Sequence, residues 1–309
     1  MGQSEKRDKM KLDISLVHGI VVPIITPLRP DETVDESALH KIIEHLLAAH
    51  VHGIFVNSTT GEGICLSDNE RIKILTKVVD EISFNIPVYA GVSDTSTKRT
   101  IRNLKDAEKL GANIAVIHPP FFYPPSSQEE LYNYFKEIAQ DASIPVMLYN
   151  IPLTTKAPIA LETIIKLLEF ENIIGIKDST GDLAFLQKLI ELKYVRHDFK
   201  IFVGKSQLWG AGILSGADGG LDGISNLIPG HCVRFYQAIK ANSEKVFELQ
   251  REINEIWQIY ECCSYLGGLK AAMHFLGLCE PITARPILPA SKEEVRKIKQ
   301  ILLTNGILK

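Results

Sequence analysis

The 309-residue sequence contains no uninterrupted apolar run that approaches the roughly 20 residues of a membrane-spanning helix. It also has no excess of basic residues, because 37 aspartates and glutamates outnumber 34 lysines and arginines and give a net charge of −3. Proteins that bind nucleic acid or acidic membranes usually carry a basic surface. We therefore expect neither nucleic acid nor a membrane as a partner.

Cysteine is scarce and forms no recognisable motif. The five cysteines are an odd number scattered through the chain, and none belongs to a Cys-x-x-Cys pair. This pattern indicates free thiols in a reducing compartment rather than a disulfide framework. Residues 1–11 are polar and charged and lack the apolar core of a secretory signal. A cytoplasmic protein is therefore expected.

What the chain does contain is a regular alternation of strand-like and helix-like segments. Apolar runs bounded by turn formers predict eight buried strands, and a segment with helical spacing follows each of them. Eight such units over about 225 residues predict an α/β protein with a (β/α)8 barrel, also called a TIM barrel. The predicted strands span residues 19–26, 53–57, 87–92, 112–118, 145–150, 173–177, 200–204 and 219–222.

After residue 240 this alternation stops. Three segments with helical spacing follow without a strand between them. They are too few to bury much apolar surface alone, so we expect them to pack on the barrel or on a second subunit. The predicted organisation is a flexible arm over 1–15, the barrel over 16–240, and a small C-terminal three-helix domain over 241–309.

Lys177 closes the sixth predicted strand, after an apolar run at 172–176. An apolar surrounding disfavours the charged form of an amine, and the neutral amine is the form that attacks a carbonyl. Tyr149 ends the fifth strand, and neighbouring strands run about 4.8 Å apart. Because the reactive side chains of such barrels stand at the C-terminal ends of the strands, amine and phenol are predicted to converge at a site without histidine. For each residue alone, the alternatives are a surface lysine and a tyrosine that fills the core.

The second strand ends in Ser58, Thr59, Thr60 and Gly61, a cluster of hydroxyl and backbone N–H donors. Such a turn can bind a carboxylate without a full positive charge. The alternative is a turn that satisfies its own donors. No metal site is predicted, since the histidines are scattered without a His-x-x-x-His pair or a carboxylate cluster. The glycine-rich segment 216–220 leaves phosphate binding open as a secondary alternative.

Taken together, the motifs resemble the dihydrodipicolinate synthase and N-acetylneuraminate lyase family of class I aldolases, from Leu16 onward. The resemblance implies a barrel with a C-terminal helical domain, assembled as a homotetramer (a dimer of dimers) and needing no cofactor. The matching motifs follow the family's order: Pro23-x-x-Thr26-Pro27, Thr59-Thr60-Gly61-Glu62, Tyr149-Asn150-Ile151-Pro152, Gly175-Ile176-Lys177-Asp178 and Gly216-Ala217-Asp218-Gly219-Gly220.

The resemblance also implies a role for each site residue. Lys177 would form a Schiff base with pyruvate or another 2-oxo acid, and Tyr149 would shuttle protons. Thr59 and Thr60, with Ser58 beside them, would hold the carboxylate of the 2-oxo acid.

Two departures from the family pattern bear on the substrate. The synthases carry an arginine shortly after the Tyr-Asn-x-Pro motif, and Thr154 stands at that place here. A hydroxyl does not replace a bidentate guanidinium, although Lys156 partly compensates if its side chain folds inward. The synthases also use a second tyrosine, lent by a neighbouring subunit, whose place aligns with Phe122. Both departures favour the lyase and sugar-acid branches.

In the sialic-acid lyases the ends of strands seven and eight bind the hydroxylated tail of the sugar. We predict corresponding contacts from Gly204, Ser206, Leu221 and Asp222. Lys205, Ser206 and Gln207 stand where those lyases tend to carry acidic residues, so a polyhydroxylated acid is favoured over sialic acid itself.

The predicted function is reversible aldol cleavage, or dehydration, of a 2-oxo-3-deoxy sugar acid through an imine at Lys177, with release of pyruvate or a related 2-oxo acid. One alternative is the synthase reaction, which joins pyruvate to aspartate semialdehyde. The other is a non-catalytic regulatory protein that binds a 2-oxo acid.

Overall fold

The computed structural model describes residues 12–82 and 86–308, and their core is a closed barrel of eight parallel strands. Each strand pairs with its neighbours in chain order, and the first pairs with the eighth to close the sheet. The predicted (β/α)8 barrel is therefore confirmed. The strands are β1 (Gly19–Pro23), β2 (Gly53–Val56), β3 (Val88–Gly91), β4 (Ile114–Ile117), β5 (Val146–Asn150), β6 (Ile173–Asp178), β7 (Lys200–Val203) and β8 (Gly219–Gly220).

Helices follow every strand, and three more follow the barrel. None of the helices within the described residues is both long and apolar enough to cross a membrane. They are α1 (Glu36–Ala48), α2 (Asp68–Ile82), α3 (Thr97–Leu110), α4 (Gln128–Asp141), α5 (Pro152–Thr155), α6 (Leu161–Leu167), α7 (Leu183–Glu191), α8 (Trp209–Leu214), α9 (Pro229–Lys240), α10 (Val246–Trp257), α11 (Tyr265–Phe275) and α12 (Lys292–Thr304).

Strand side chains alternate between the barrel interior and the layer beneath the helices. Phe55 and Tyr149 belong to the interior cluster, whereas Leu148 and Ile176 pack in the cluster under the helices. Both layers are buried, which explains why the strands are apolar along most of their length. Since Ile176 faces the helices, its neighbour Lys177 faces the interior.

The eighth strand is shorter than predicted. β8 ends at Gly220, where a side chain would lie 2.3 Å from the indole ring of Trp209. The chain then turns into a short 3-10 helix, Gly223–Asn226, whose N-cap is Asp222. The prediction that strand eight continues to Asp222 is therefore wrong, because the carboxylate of Asp222 is used to begin this helical turn.

The helices after residue 240 are attached to the barrel by a buried ion pair. The ammonium of Lys270 on α11 contacts the carboxylate of Glu62, and neither side chain is accessible to solvent. Lys270 Nζ also donates to the carbonyl of Ile282 at 2.6 Å, and Glu62 accepts from the Ala284 N–H at 2.6 Å. The division of the chain at residue 240 stays a prediction. Most of the predicted N-terminal arm, residues 1–11, lies outside the described residues.

Candidate active site

Lys177 lies in the mouth of the barrel, at the C-terminal ends of the strands, against two aromatic rings. It pairs in register with Tyr149 on the neighbouring strand β5. Its Nζ is 4.0 Å from the centroid of the Tyr149 ring and 5.6 Å from that of Phe55. Both Lys177 and Tyr149 are buried, with 4% and 3% of their surface accessible. Within the described residues no carboxylate forms an ion pair with this amine, so rings rather than a counter-charge surround it.

The ends of β5 and β6 are held together by a second, polar contact. Asn150 donates from Nδ2 to the carboxylate of Asp178 at 2.9 Å, and the hydroxyl of Thr180 donates to the same carboxylate at 2.6 Å. Burial raises the pKa of Asp178, while the hydrogen bonds from Thr180 and Asn150 oppose that rise. These hydrogen bonds hold the ends of β5 and β6 together. They therefore fix the positions of Tyr149 and Lys177, the preceding residues, relative to each other.

The turn after β2 is sharply folded and partly satisfies itself. The Gly61 N–H donates to the Ser58 hydroxyl at 3.0 Å, so part of the self-capping alternative is realised. Asn57 has a left-handed backbone with a φ of 55°, which few non-glycine residues adopt. Among the described residues, however, the backbone N–H groups of Thr59 and Thr60 have no protein acceptor. Two adjacent donors of this kind are what the predicted carboxylate-binding nest requires, and the binding of a carboxylate there stays a prediction.

Thr59 and Thr60 face different surroundings. Thr59 is exposed at the edge of the site, whereas Thr60 is buried. The Thr60 hydroxyl is 3.2 Å from that of Tyr265, at the start of α11. The missing side chain of Gly223 leaves the space for this phenol, since a Cβ there would lie 2.0 Å from the Tyr265 hydroxyl. Burial of the hydroxyl raises the pKa of Tyr265, with further contributions from Asp222 and Tyr149.

A cavity with about 620 Å³ of empty space, which includes the open solvent at its mouth, joins these parts. It brings together four of the predicted residues, Ser58, Thr59, Tyr149 and Thr154. Lys177 and Thr60 are not among its lining residues, although the amine of Lys177 lies against the ring of Tyr149. No group of three or more His, Cys, Asp or Glu side chains within the described residues is arranged to hold a metal. The other lining residues are Phe55, Asn57, Gly63, Ile64, Arg71, Gly91, Ser93, Val116, His118, Phe121 and Thr155.

His118 is a lining residue that the sequence reasoning missed, since it expected a site without histidine. It follows β4 directly, and its ring lies edge-on to Tyr149 with 6.2 Å between ring centroids. Its backbone N–H donates to the Ser93 hydroxyl at 2.7 Å. Burial lowers the pKa of His118, the hydrogen bond to the Pro119 carbonyl opposes this, and the charge of Lys177 lowers it further. The signal was available, because the end-of-strand rule that selects Lys177 also selects His118.

Phe122 does not line the cavity. Its side chain is 80% exposed and packs edge-on against Tyr123, which is 81% exposed. The backbone of Phe122 is left-handed, with a φ of 74°. Phe121 reaches the cavity instead and packs against His118.

The four residues predicted at the ends of strands seven and eight lie outside the cavity lining. Leu221 is fully buried in the interior cluster, and a side chain at Gly204 would lie 2.0 Å from the hydroxyl of Ser179. Ser206 is buried, and its N–H donates to the carboxylate of Asp222 at 3.1 Å. Asp222 also accepts from the Ile224 N–H at 3.0 Å.

Burial raises the pKa of Asp222, while the hydrogen bonds from Ile224 and Ser206 and the charge of Lys177 lower it. The carboxylate of Asp222 therefore supports the loops that follow strands seven and eight. A direct contact of Asp222 with a sugar tail stays a prediction.

Thr154 lines the cavity at the place where the synthases carry arginine. Its hydroxyl donates to the Ile151 carbonyl at 3.3 Å. The ammonium of Lys156 donates to the Leu153 carbonyl at 2.8 Å, and Lys156 is exposed. Lys156 therefore does not fold inward, and it does not supply the missing positive charge.

A model of the dihydrodipicolinate synthetase family matches residues 16–305. The chain belongs to this family. The predicted assignment to these class I aldolases and lyases is confirmed, and the protein is an enzyme of the lyase type. A relative from Pyrococcus horikoshii, described as an uncharacterized DapA-like lyase, is 37% identical over 93% of this chain and 100% of its own. A 4-hydroxy-tetrahydrodipicolinate synthase from Thermotoga neapolitana is 29% identical over 95% of this chain and 100% of its own.

Solved structures of other family members have the same fold. A prophage protein of E. coli K12, solved in complex with pyruvate, superposes with a TM-score of 0.91 at 26% identity, over 95% of this chain and 100% of that one. The dihydrodipicolinate synthase of Thermotoga maritima gives a TM-score of 0.91 at 27% identity, over 94% and 99% of the two chains.

Proposed function

We propose that Lys177 forms an imine with a 2-oxo acid and that the enzyme cleaves or dehydrates a 2-oxo-3-deoxy sugar acid. The observation that carries this proposal is the pairing of Tyr149 with Lys177, because the amine lies 4.0 Å from the centroid of a phenol ring that lines the cavity. The prophage protein of the family was solved with pyruvate, which supports a 2-oxo acid as the ligand here.

The proposed reaction begins when the neutral amine of Lys177 attacks the C2 ketone of the sugar acid. Tyr149 donates a proton to the carbinolamine hydroxyl, which leaves as water and gives a protonated imine. The electrons of the C3–C4 bond then move to the imine nitrogen while the C4 hydroxyl gives its proton to the deprotonated Tyr149 and becomes an aldehyde. Tyr149 passes this proton to C3 of the resulting enamine. Water then hydrolyses the protonated imine, which releases pyruvate, regenerates the neutral amine of Lys177 and returns a proton to Tyr149. In a dehydration, the imine would instead promote loss of a C3 proton and the C4 hydroxyl.

The carboxylate of the 2-oxo acid would lie at the Ser58–Gly61 turn. The two N–H groups of Thr59 and Thr60 that lack a protein acceptor are the donors that support this placement. Adjacent backbone N–H groups bind anions through their aligned dipoles, without needing a lysine or an arginine.

The part of the cavity at Thr154 favours a hydroxylated aldehyde over one that carries a carboxylate. Arg71 is a cation in the lining, but its guanidinium donates to the Gly91 carbonyl at 3.3 Å and lies 3.9 Å from the carboxylate of Asp68. The position of the synthase arginine is held by Thr154, and Lys156 is engaged with a backbone carbonyl outside the cavity. Hydroxyl groups of Ser58, Ser93 and Thr154 lie in its lining, and each makes one hydrogen bond to the protein backbone. Because relatives of similar length include synthases, aspartate semialdehyde is the comparison substrate. Condensation of pyruvate with it at a rate comparable to sugar-acid cleavage would overturn this choice.

A homotetramer and a cytoplasmic location complete the proposal. The exposed rings of Phe122 and Tyr123 form an apolar surface beside the mouth of the barrel. Large exposed apolar side chains that lie together are typical of surfaces covered by another subunit, which supports an assembly of copies of this chain.

Trapping of the imine tests this function directly. Incubation with pyruvate and borohydride is expected to reduce the imine and add a stable mass to the single peptide that contains Lys177. Lys177→Ala should abolish the adduct, whereas Lys156→Ala, which removes an exposed lysine outside the cavity, should leave it intact. Mass spectrometry of the digested protein measures both results. A missing adduct, or one on another lysine, would contradict the assignment.

A further inference from the structure

Residues 12–18 close the end of the barrel that lies opposite Lys177. They precede β1 and therefore lie at the N-terminal ends of the strands, whereas Lys177 lies at the C-terminal ends. Val17 is fully buried in the interior cluster, and Leu12 and Ile14 pack against that cluster. Residues 12–18, which we call the plug, thus cover the interior side chains at this end.

His52, which directly precedes β2, holds the start of β1 by two hydrogen bonds. Its backbone N–H donates to the carbonyl of Ile20 at 2.8 Å, and its Nδ1 accepts from the N–H of Ile20 at 3.1 Å. Because a backbone N–H only donates, Nδ1 carries no proton and the imidazole is neutral in this arrangement. Gly19 has a left-handed backbone with a φ of 77°, and a Cβ there would lie 2.3 Å from Cγ of His52. The ring occupies the space that the missing side chain leaves.

Two further rings enclose the imidazole of His52. His18, the last residue of the plug, lies edge-on to it with 5.0 Å between ring centroids, and Tyr236 of α9 lies edge-on at 5.1 Å. Burial and the neighbouring His18 lower the pKa of His52 to about 4. Burial also raises the pKa of Tyr236 to about 12, so this phenol stays neutral. Through His18 the plug therefore packs directly on the ring that holds β1.

The charged groups on the surrounding elements also oppose protonation of this cluster. Burial lowers the pKa of His18, the charges of Lys200 on β7 and Lys240 on α9 lower it further, and the carboxylate of Asp218 opposes them. Asp218 already forms ion pairs with Lys193 at 2.7 Å and with Lys200 at 3.7 Å. An imidazolium at this position would thus face a carboxylate that two lysines already neutralise.

We propose that His52 is an acid-released latch that holds the plug in the barrel. Protonation at Nδ1 sets two donors, this N–H and that of Ile20, against each other, so their hydrogen bond is lost. It also places a buried positive charge beside His18. The ring then leaves the space at Gly19, and the plug loses the surface on which it packs. This device goes beyond the proposed function, because it lies at the end of the barrel opposite Lys177.

The direction of the pH dependence follows from the two states of the latch. The released ring of His52 regains the ordinary pKa of 6.5, whereas the latched ring has a pKa of about 4. The open form therefore binds a proton more readily. Its population relative to the closed form should rise by up to about tenfold for each pH unit below about 6.5 and level off below about 4, where both forms are protonated.

Hydrogen exchange followed by mass spectrometry tests the latch, since exchange of a buried amide reports its local opening. The peptide over residues 12–23 is compared between the unmodified protein and His52→Asn, in which Oδ1 can accept from Ile20 but does not titrate. At about pH 4.5 we expect this peptide to exchange roughly tenfold to 10²-fold faster in the unmodified protein. At neutral pH the two proteins should exchange alike. His197→Asn, at an exposed histidine, is the matched control and should behave as the unmodified protein does.

Equal exchange of this peptide in the unmodified protein and His52→Asn at the acidic pH would overturn the proposal. So would equally fast exchange in the peptides of β3 to β6, because that result indicates global unfolding rather than release of the plug. If His52→Asn does not fold, the ring nitrogen shifts of His52 in the unmodified protein decide the question. A pKa within one unit of the ordinary value of 6.5 would overturn the latch, and a lower pKa would support it.

Discussion

At the scale of the residue, Lys177 is placed by the alternation of side chains along its strand. Ile176 packs under the helices, and Lys177 faces the rings of Tyr149 and Phe55 inside the barrel. A shift of β6 by one residue would carry the amine to the helix side of the sheet and away from the ring of Tyr149. The register between Tyr149 and Lys177 is thus as important to the site as the identities of the two residues.

Tyr149→Phe tests whether the phenol moves protons. The ring, and hence its contact with the amine of Lys177, would be retained, while the proton donor would be lost. We expect pyruvate release from a sugar acid to slow by roughly 10²-fold or more. Tyr194→Phe removes the hydroxyl of an exposed tyrosine that does not line the cavity and should keep the normal rate. Steady-state kcat for both variants measures the effect, and an unchanged rate for Tyr149→Phe would exclude it from the mechanism.

The sequence identifies residues that end strands, because parallel strands of a barrel all end at the same face. Lys177, Tyr149 and Thr59 are found in this way. The same reasoning wrongly places Asp222 at the end of strand eight. In the structure β8 ends at Gly220, and Asp222 begins the helical turn that follows. The sequence also cannot distinguish Phe121 from Phe122, because a left-handed backbone in a loop decides which ring faces the cavity.

At the scale of the element, α11 contributes to the site from outside the barrel. Its first residue, Tyr265, stacks on Tyr260 with 4.5 Å between ring centroids and directs its hydroxyl to Thr60. About 37% of the residue stays accessible while this hydroxyl is enclosed. The rule that reactive side chains stand at the ends of barrel strands does not identify Tyr265, because this residue lies on a helix. Its contact with Thr60 joins residues 205 positions apart in the chain. The C-terminal helices therefore help to fix the turn proposed to bind the carboxylate.

Tyr265→Phe should weaken the binding of pyruvate without removing the reactive amine. A neutral hydrogen bond contributes about 0.5–1.5 kcal/mol, which corresponds to a change of about twofold to tenfold in an equilibrium constant. We expect the pyruvate concentration that gives half-maximal borohydride labelling of Lys177 to rise by that factor. Thr60→Val, which removes the same bond from its other side, should give no additional loss in the double variant.

Tyr194→Phe is the control for this pair, because it removes the hydroxyl of an exposed tyrosine that does not line the cavity. Additive losses from Tyr265→Phe and Thr60→Val would show that the two hydroxyls act independently.

At the scale of the whole molecule, the barrel closes the site on one side and the C-terminal helices brace it on the other. Glu62 follows the turn after β2 directly, so its contact with Lys270 ties the proposed carboxylate site to α11. Burial lowers the pKa of Lys270, and the charge of Glu62 opposes this. The alternation of eight strand-like and helix-like segments predicts the barrel, because each segment is recognised from its local pattern of apolar residues. It does not predict this ion pair, which depends on how two distant segments dock.

Lys270→Met is expected to destabilise the protein by about 3–5 kcal/mol, because it leaves the carboxylate of Glu62 buried without its partner. Chemical denaturation followed by circular dichroism measures the free energy of unfolding. Lys297→Met breaks an exposed ion pair with Glu293 on α12 and should leave the denaturation midpoint unchanged. If the C-terminal helices brace the site, Lys270→Met should also weaken pyruvate labelling of Lys177 under conditions where the variant remains folded. Full stability with normal labelling would show that the barrel holds the turn after β2 without help from α11.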